Sequence, residues 1–382
     1  MTRPRLPQIL GLALLLGVIG FGGGWAIAQR VRRAFVHERA WLSDEEFVEI
    51  LSVAGSLPGT TTANLFSLLG FRFGGLAGAL GATVVFLAPS IAIMCMLGAT
   101  YGRLRDLGTV AWVLDGMGVA TVGVVAAVAV DMRKVAVRGR VEGVLALGAL
   151  AALVTRTLNL LEVVAIAGIA GAFALRPTTP ASREEPPPNS LRGLLAPIAL
   201  GGAAAASPFL ALFLVFARIG IATFGGGIAM IAPIEHQVVA VHEWLTDRAF
   251  ADAIVLGQIT PGPVAISSTF IGWRVAGPLG AVAATLGMFL PPLVLCVVAA
   301  RSLPVFRTNP AVRGFLAGVA PAIVGAIAAA TVPLARSAIH VWWEALLALA
   351  PFALLVWKPR VAAVWPIAAA GAIEVSVRSL SR

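Results

Sequence analysis

Charged residues are scarce in this sequence of 382 residues. They make up 12% of it, whereas soluble globular domains carry roughly 25%. The apolar fraction is 59% and the mean hydropathy is +0.93. Apolar runs approach or exceed the roughly 20 residues that a spanning helix needs, at residues 74–100, 110–130, 277–300 and 314–332. The scarcity of charge excludes a soluble domain and predicts an all-α polytopic membrane protein.

Residues that usually carry catalysis or bind metals are also few. The two cysteines, Cys95 and Cys296, both lie within apolar runs, so a disulfide framework is not expected, and no CxxC motif exists. The four histidines lie in predicted loops or near span ends, and neither HExxH nor GxSxG occurs. We therefore expect no enzymatic activity, no metal site and no cofactor.

The basic residues give a net charge of +10 but do not form a nucleic-acid surface. They separate apolar spans and build no long basic face with interleaved aromatic residues. The triple glycines follow no strand and precede no Gly-Lys-Thr/Ser, which excludes a phosphate-binding loop. Nucleic acid is therefore excluded as a partner. The lipid bilayer is the expected surroundings, and the positive-inside rule explains most arginines.

One stretch of the chain, residues 21–89, returns as residues 224–292. Phe-Gly-Gly-Gly, Trp-Leu and Pro-Gly recur at an offset of 203, the separation of Phe21 from Phe224, and we expect this offset to hold without a gap. The repeat divides the chain into a first repeat, a linker with a juxtamembrane segment, and a second repeat, at residues 1–175, 176–206 and 207–382. Because the N-terminal apolar run has an internal counterpart, we interpret residues 8–29 as a retained first span.

A short helix is predicted over residues 44–57. Ser43 is its expected N-cap, with Glu46 at the capping-box position. Pro58-Gly59 ends the helix, because proline lacks an amide donor and disfavours helical geometry in the residue before it. Glycine then permits a sharp reversal of the chain.

A second short helix, over residues 60–71, follows this break. Each helix is too short to span about 30 Å at 1.5 Å per residue, so the pair predicts a broken or re-entrant hairpin. The second half repeats it around Pro261-Gly262. Irregular backbone at membrane depth is tolerated only where protein or a wet cavity surrounds it, so both breaks are candidate sites. The alternative is a plain connecting loop at the surface.

Two long spans and two shorter ones, around residues 141–155 and 158–175, give each half about five crossings and one hairpin. An odd number of crossings predicts inverted-topology repeats if the linker does not cross. The arginines agree, because the loop at residues 30–39 holds four of them and its counterpart at 233–243 holds none. Residues 191–206 are apolar enough for a further crossing, which would make the halves parallel; we interpret them as juxtamembrane.

The free amides at a half-helix N-terminus, with the positive end of the helix dipole, bind anions. Here the half-helices begin beside the two breaks with hydroxyl-bearing residues, and the glycine motifs let backbones approach. The candidate substrate-binding residues at these places are Gly22, Gly23, Gly24, Pro58, Gly59, Thr60, Thr61, Gly225, Gly226, Gly227, Pro261, Gly262, Pro263 and Ser267. The alternative for each hydroxyl is a small residue that only packs helices.

Arg218 completes the substrate-binding set. It lies within an apolar run shortly before the second glycine motif, and an intramembrane arginine is by default a functional residue. The alternatives are that it snorkels or closes an internal ion pair. Its repeat partner is Leu15, so the predicted site is asymmetric.

Among the acids, Glu49 and Asp252 are equivalent at the offset of 203 and each precedes a Pro-Gly break. We predict them as proton-coupling residues, because burial brings a carboxylate toward the range in which protons exchange. A solvated helix face is the alternative for each. Asp115 and Glu162 have no equivalents in the repeat and are weaker candidates.

An ordered set of motifs occurs twice: Phe-Gly-Gly-Gly, Trp-Leu-Ser/Thr-Asp, Leu-Pro-Gly-Thr or Thr-Pro-Gly-Pro, and Phe-Leu-Ala/Pro-Pro. With these motifs the whole chain resembles a two-domain member of the chromate ion transporter family. Leu15 stands where the family usually has a basic residue, and Thr60 replaces the commoner second proline. The resemblance implies two homologous halves of opposite orientation that export chromate from the bacterial cytoplasm.

The function implied by the resemblance is secondary active export of chromate across the bacterial cytoplasmic membrane, driven by membrane potential or a proton gradient, which gives chromate resistance. Sulfate, a tetrahedral dianion of similar size, or another anion is the alternative substrate. A protein that does not transport, such as an intramembrane enzyme or assembly factor, would need a catalytic constellation that the sequence does not have. The implied partners are the oxyanion, protons, the lipid bilayer and, in a homodimer, a second copy of the chain.

Overall fold

The computed structural model describes residues 4–21, 23–175, 207–223, 227–301, 310–358 and 361–380, and this part of the chain is helical without strands. The first half comprises α1 (Leu6–Ile19), α2 (Gly23–Arg32), α3 (Asp44–Ser56), α4 (Thr61–Asp106), α5 (Gly108–Ala136), α6 (Arg140–Val154) and α7 (Leu160–Ala174). The second half comprises α8 (Pro208–Ala222), α9 (Ile231–Glu235), α10 (Asp247–Ile259), α11 (Ser267–Arg301), α12 (Pro310–Ala338), α13 (Trp342–Trp357) and α14 (Val364–Leu380). The all-α prediction is confirmed. The linker, including residues 191–206, lies outside the described residues.

Four of the described helices are long and apolar enough to cross a membrane, namely α4, α5, α11 and α12. Shorter apolar helices accompany them: α1, α7, α8, α13 and the segment Ile231–Val241. The chain is therefore a multi-pass membrane protein. The number of crossings in each half stays a prediction.

The predicted single span over residues 8–29 is wrong, because the structure breaks it into two helices. α1 ends where Gly20 leaves helical geometry, with a ψ of 58°. A methyl group on Gly20 would lie 2.4 Å from the carbonyl oxygen of Leu16, so the close turn relies on glycine. α2 follows and continues as a π-helical turn, Arg33–Glu38. α8 ends at the equivalent point, where Thr223 is extended.

The first predicted helix–break–helix unit is confirmed. At the start of α3 the Glu46 amide donates to Ser43 Oγ at 3.1 Å, and the Ser43 amide donates to Glu46 Oε2 at 3.0 Å, as a capping box requires. Leu57 is extended before Pro58, because the proline ring disfavours helical geometry there. Gly59 is buried, so the alternative of a plain surface loop is wrong.

Polar contacts join α3 and α4 at the end of the hairpin that lies away from the Pro58-Gly59 break. Arg72, in α4, pairs with Glu46 at the start of α3, so the two helices return to the same end. Arg32 donates to Asp44 Oδ1 at 2.8 Å, and this hydrogen bond holds the pKa of the Asp44 carboxyl below its ordinary value. α4 then bends at residues 74–75 and continues as a long span.

The second half repeats this arrangement, but the expected gap-free offset of 203 is wrong beyond the break. The Pro-Gly breaks keep it, since Gly59 and Gly262 have φ values of +102° and +108°. The equivalent bends then lie at Gly75 and Gly277, with φ values of +58° and +63°, and 277 minus 75 is 202. The missing residue falls where a short 3₁₀ turn, Val264–Ile266, precedes α11, because such a turn holds fewer residues than an α-helical one.

The two halves interlock through their later helices. α5 packs against α13 and α14 of the second half, and α12 packs against α6 and α7 of the first. Glycines permit the close contacts: Gly123 lies against the backbone of Ala348, and Gly325 against that of Ala146. α4 and α11 pack against each other, with α1 beside α4 and α8 beside α11. The hairpin breaks, which directly precede α4 and α11, therefore lie between the halves.

Candidate functional site

Each hairpin break is hydrogen-bonded to the broken helix of the other half. The amide of Gly59 donates to the carbonyl oxygen of Thr223 at 2.6 Å, and the amide of Gly262 donates to that of Gly20 at 2.9 Å. Gly20 follows α1 and Thr223 follows α8, so the two hydrogen bonds are equivalent under the repeat. Four interruptions of helical structure therefore meet where the halves touch.

The opposite long helices close around both breaks. A methyl group on Gly59 would lie 2.5 Å from Cβ of Pro292 in α11, and one on Gly262 would lie 2.5 Å from Oγ of Ser90 in α4. Ser90 also donates to the carbonyl oxygen of Pro261. Both glycines have positive φ, which glycine adopts without strain. Conformation thus requires glycine in each Pro-Gly pair, and at Gly59 the space beside the Pro292 ring requires it as well.

Polar groups at the start of the two half-helices are left for a further partner. Thr60 is the N-cap of α4, but its hydroxyl does not cap the helix, so the first amides lack an intrahelical acceptor. The hydroxyls of Thr60, Ser267 and Ser268 are buried and have no hydrogen-bond partner among the described residues. Buried polar groups are normally paired. Three such hydroxyls beside two helix starts mark a place that fits a polar ligand.

The remaining tip residues lie where the repeat predicts, with Thr61 opening α4 and Pro263 preceding the 3₁₀ turn. Asn64, which the sequence reasoning missed, stabilises the backbone of the first hairpin break. Its side-chain amide lies 3.1, 3.3 and 2.9 Å from three carbonyl oxygens, those of Ala54, Leu57 and Pro58. A buried asparagine one turn after a Pro-Gly break was the available signal. The first hairpin break is therefore a rigid turn that is hydrogen-bonded internally.

The glycine motifs pack beside the same helix starts where the structure describes them. Outside the described residues lie Gly22, Gly225 and Gly226. Gly23 and Gly24 open α2, and a methyl group on Gly24 would lie 3.9 Å from Thr62. A methyl group on Gly227 would lie 3.1 Å from the amide nitrogen of Ala265. Gly227 therefore serves the close approach of neighbouring backbone, whereas Gly24 is in ordinary contact with a side chain.

Arg218 does not share one cavity with the hairpin tips. It lies on the exposed face of α8 and lines a cavity of about 510 Å³. The polar lining of this cavity also includes Arg156, Glu235, His236 and Arg336, but no residue of either Pro-Gly break. The cavity extends along α8 to Ala222, the residue directly before Thr223.

Glu49 and Asp252 occupy the same position in α3 and α10, as predicted, but their surroundings differ. Asp252 is buried, accepts a hydrogen bond from Tyr101 and pairs with Arg105 at 2.9 Å. Glu49 is half-buried. Glu162, a weaker candidate, caps the start of α7. The solvated-face alternative is therefore wrong for Asp252, and the two acids are not interchangeable.

Asp115, also a weaker candidate by sequence, is a junction between the halves. It pairs with Arg105 at 2.9 Å, with Arg248 at 2.8 Å and with Arg378 at 3.4 Å. Arg105 links it to Asp252. This ion-pair network joins α4 and α5 to α10 and α14. Sequence reasoning missed it, and the only signal was the single tyrosine of the chain beside a basic turn.

The family model for the chromate transporter matches residues 8–172 and 210–375, which cover most of the chain. The chain belongs to the chromate transporter family. A probable chromate transport protein from Synechococcus elongatus is 33% identical over 88% of this chain and 86% of its own length. Chromate transport proteins from Cupriavidus metallidurans and Pseudomonas aeruginosa are 32% and 30% identical, over 92% and 96% of this chain and 88% and 91% of theirs. No solved structure matches the chain.

Membership of the chromate transporter family confirms the resemblance drawn from the motifs. It supports chromate transport as the function, which is a transport and not an enzymatic activity. A chromate transporter takes an oxyanion substrate. An oxyanion accepts hydrogen bonds, and the hydroxyls at the starts of α4 and α11 and the amides at the start of α4 can donate them.

Proposed function

We propose that this chromate transporter is a secondary active exporter in the bacterial cytoplasmic membrane, driven by membrane potential or a proton gradient, and that it confers chromate resistance. The observation that carries the proposal is the meeting of two hairpin breaks, beside which lie buried hydroxyls without a hydrogen-bond partner among the described residues. Broken helices that meet at the interface of internal repeats are typical substrate sites of secondary transporters.

The proposed site holds the dianion with fixed dipoles in place of water. An ion that leaves water without new partners pays a prohibitive desolvation free energy. The amides at the start of α4, the hydroxyls of Thr60, Ser267 and Ser268, and the positive ends of the half-helix dipoles replace the hydration shell. Arg218 adds positive charge from the cavity beside α8. Sulfate offers the same tetrahedral charge distribution, so it or another anion is the second substrate candidate.

We further infer that the two halves have opposite orientations in the membrane. Two contacts support this: Arg301, which ends α11, lies over the ring of Phe71, and Arg274, near the start of α11, lies over the ring of Tyr101. Phe71 is near the start of α4 and Tyr101 is near its end. Equivalent helices that pair start with end have the antiparallel relation that inverted repeats require.

Opposite orientation predicts that cysteines placed at His37 and Ala240 are labelled from opposite faces. The two residues are exposed and occupy the same position in the two π-helical turns. In a background with Cys95 and Cys296 changed to alanine, we expect an impermeant maleimide to label Ala240→Cys in intact cells. His37→Cys should react only after permeabilisation. Labelling of both from the same face would rule out inverted halves.

We propose that Asp252 carries the coupled proton, with Glu49 as the counterpart in the first half. Asp252 is a buried acid at the interface between the halves, in direct contact with Tyr101 and Arg105, so a change in its charge acts on both halves. Protons are therefore proposed partners in transport. A homodimer is the proposed assembly.

Chromate flux in inverted membrane vesicles tests the proposed export. We expect vesicles that contain the protein to accumulate radiolabelled chromate when a membrane potential or pH gradient is imposed. Accumulation should stop when that potential or gradient is collapsed. Vesicles without the protein are the control. If the site recognises only the shape and charge of a tetrahedral dianion, unlabelled sulfate should compete with chromate and lower its uptake. Uptake no greater than in the control under either gradient would contradict the proposal.

A further inference from the structure

A second group of positively charged residues surrounds the cavity beside α8. The cavity lies between α8, the turn that joins α6 to α7, α9 and the end of α12. Its lining includes three arginines, Arg156, Arg218 and Arg336, together with His236. Each arginine comes from a different helix or turn, so the tertiary structure and not a local sequence motif assembles this group.

The acidic residues of the same cavity are already engaged. Glu162 accepts a hydrogen bond from the amide of Asn159 at 2.8 Å and is used to cap α7. Glu235 is buried and pairs with Arg156 at 3.3 Å. Arg336 is exposed; the charge of Glu235 attracts it, but it makes no ion pair within the part of the chain that the structure describes. The cavity therefore keeps an arginine that is available to an anion.

We propose that this cavity is an oxyanion vestibule, a second binding site that takes a tetrahedral dianion on its way to or from the hairpin breaks. The inference rests on the proposed transport function. Its position supports it: Ala222 lines the cavity, and the next residue, Thr223, accepts the hydrogen bond from Gly59 at the first break. The lining of the vestibule thus reaches to within one residue of the central contact.

The chemistry of the vestibule suits a hydrated anion. Its volume of about 510 Å³ exceeds the need of a bare tetrahedral ion and leaves room for waters, which occupy roughly 30 Å³ each. Arginine binds oxyanions through parallel N–H groups, and a cleft with excess positive charge raises the local anion concentration. Glu235 competes with the anion for Arg156, so it sets how tightly the vestibule binds.

Counterflow of radiolabelled chromate, measured in right-side-out and in inverted vesicles, tests the vestibule. Arg336→Gln should raise the KM by about fivefold to tenfold with kcat unchanged, and only in the orientation that presents the cavity to the outer solution. Glu235→Gln frees Arg156 and should lower the KM in that same orientation. Arg336→Lys keeps the charge but loses the parallel N–H groups, so its KM should lie between those of the wild type and Arg336→Gln. Arg103→Gln, an exposed arginine outside the cavity, is the matched control and should change nothing.

Opposite shifts of KM for Arg336→Gln and Glu235→Gln separate anion binding from a merely structural role, since damage to the fold would impair both variants. Unchanged KM values in both variants, or equal changes in both vesicle orientations, would overturn the vestibule. If the wild type shows no counterflow, the proposed transport function fails first. Equilibrium binding of radiolabelled sulfate to the purified protein then decides: weaker binding by Arg336→Gln and stronger binding by Glu235→Gln support the vestibule, and equal binding overturns it.

Discussion

Alanine at Gly59 or at Gly262 is expected to lower chromate transport by roughly tenfold or more. Both residues have a left-handed φ, which costs other residues about 1–3 kcal/mol. The added methyl group would also lie 2.5 Å from Pro292 in the first case and 2.5 Å from Ser90 in the second. Overpacking against the Pro292 ring typically costs about 1–3 kcal/mol more, and at Gly262 the Ser90 side chain would have to give up its hydrogen bond to Pro261. Because each glycine also donates its amide to the other half, the strain acts on the contact between the halves.

Flux in vesicles and the amount of protein in the membrane should be measured together for these variants. We expect a loss of roughly tenfold or more in flux per molecule of protein, since each 1.4 kcal/mol corresponds to a factor of ten. Gly148→Ala is the matched control, because this glycine lies in α6 with open space around it. Near-normal flux in either Pro-Gly variant would show that transport tolerates a side chain at that break. It would remove the breaks from the proposed site.

Asparagine at Asp252 is expected to flatten the pH dependence of chromate flux and to lower its rate by roughly tenfold or more. Asp252 is 3% exposed, and loss of one partner of a buried ion pair costs about 3–5 kcal/mol. Arg105 keeps its second partner, Asp115, at 2.9 Å, which limits the damage to the fold. The amide cannot release or take up a proton, so any coupling through this position is lost.

The pH profile separates coupling from structural damage at Asp252. Tyr101→Phe removes a hydrogen bond but keeps the carboxylate, so the pH dependence should persist even if the rate falls. Glu49→Gln, at the equivalent position in α3, tests whether both halves take part. Asp252→Asn protein that reaches the membrane and retains the wild-type pH profile would exclude this acid as the proton carrier.

The first hairpin was predictable because local rules determine it. The capping box at Ser43 and Glu46 uses side chains three residues apart, and Pro58 changes the geometry of the residue directly before it. The repeat then transferred the same unit to the second half. The single span over residues 8–29 was predicted wrongly, because apolar composition alone does not reveal that Gly20 ends a helix and meets Gly262 of the other half.

The sequence by itself determined that this chain is an all-α membrane protein of two related halves in the chromate transporter family, since hydropathy, repeat and motif order are all linear properties. The tertiary structure decided which residues act together. Asp115 meets Arg248 and Arg378 from the distant second half, and Arg218 joins Arg156 and Arg336 around a cavity. These groups come from helices far apart in the chain, and the packing of α5 and α12 against the opposite half sets their distances. No spacing along the sequence encodes such contacts, because they depend on how the interlocked helices lie against one another.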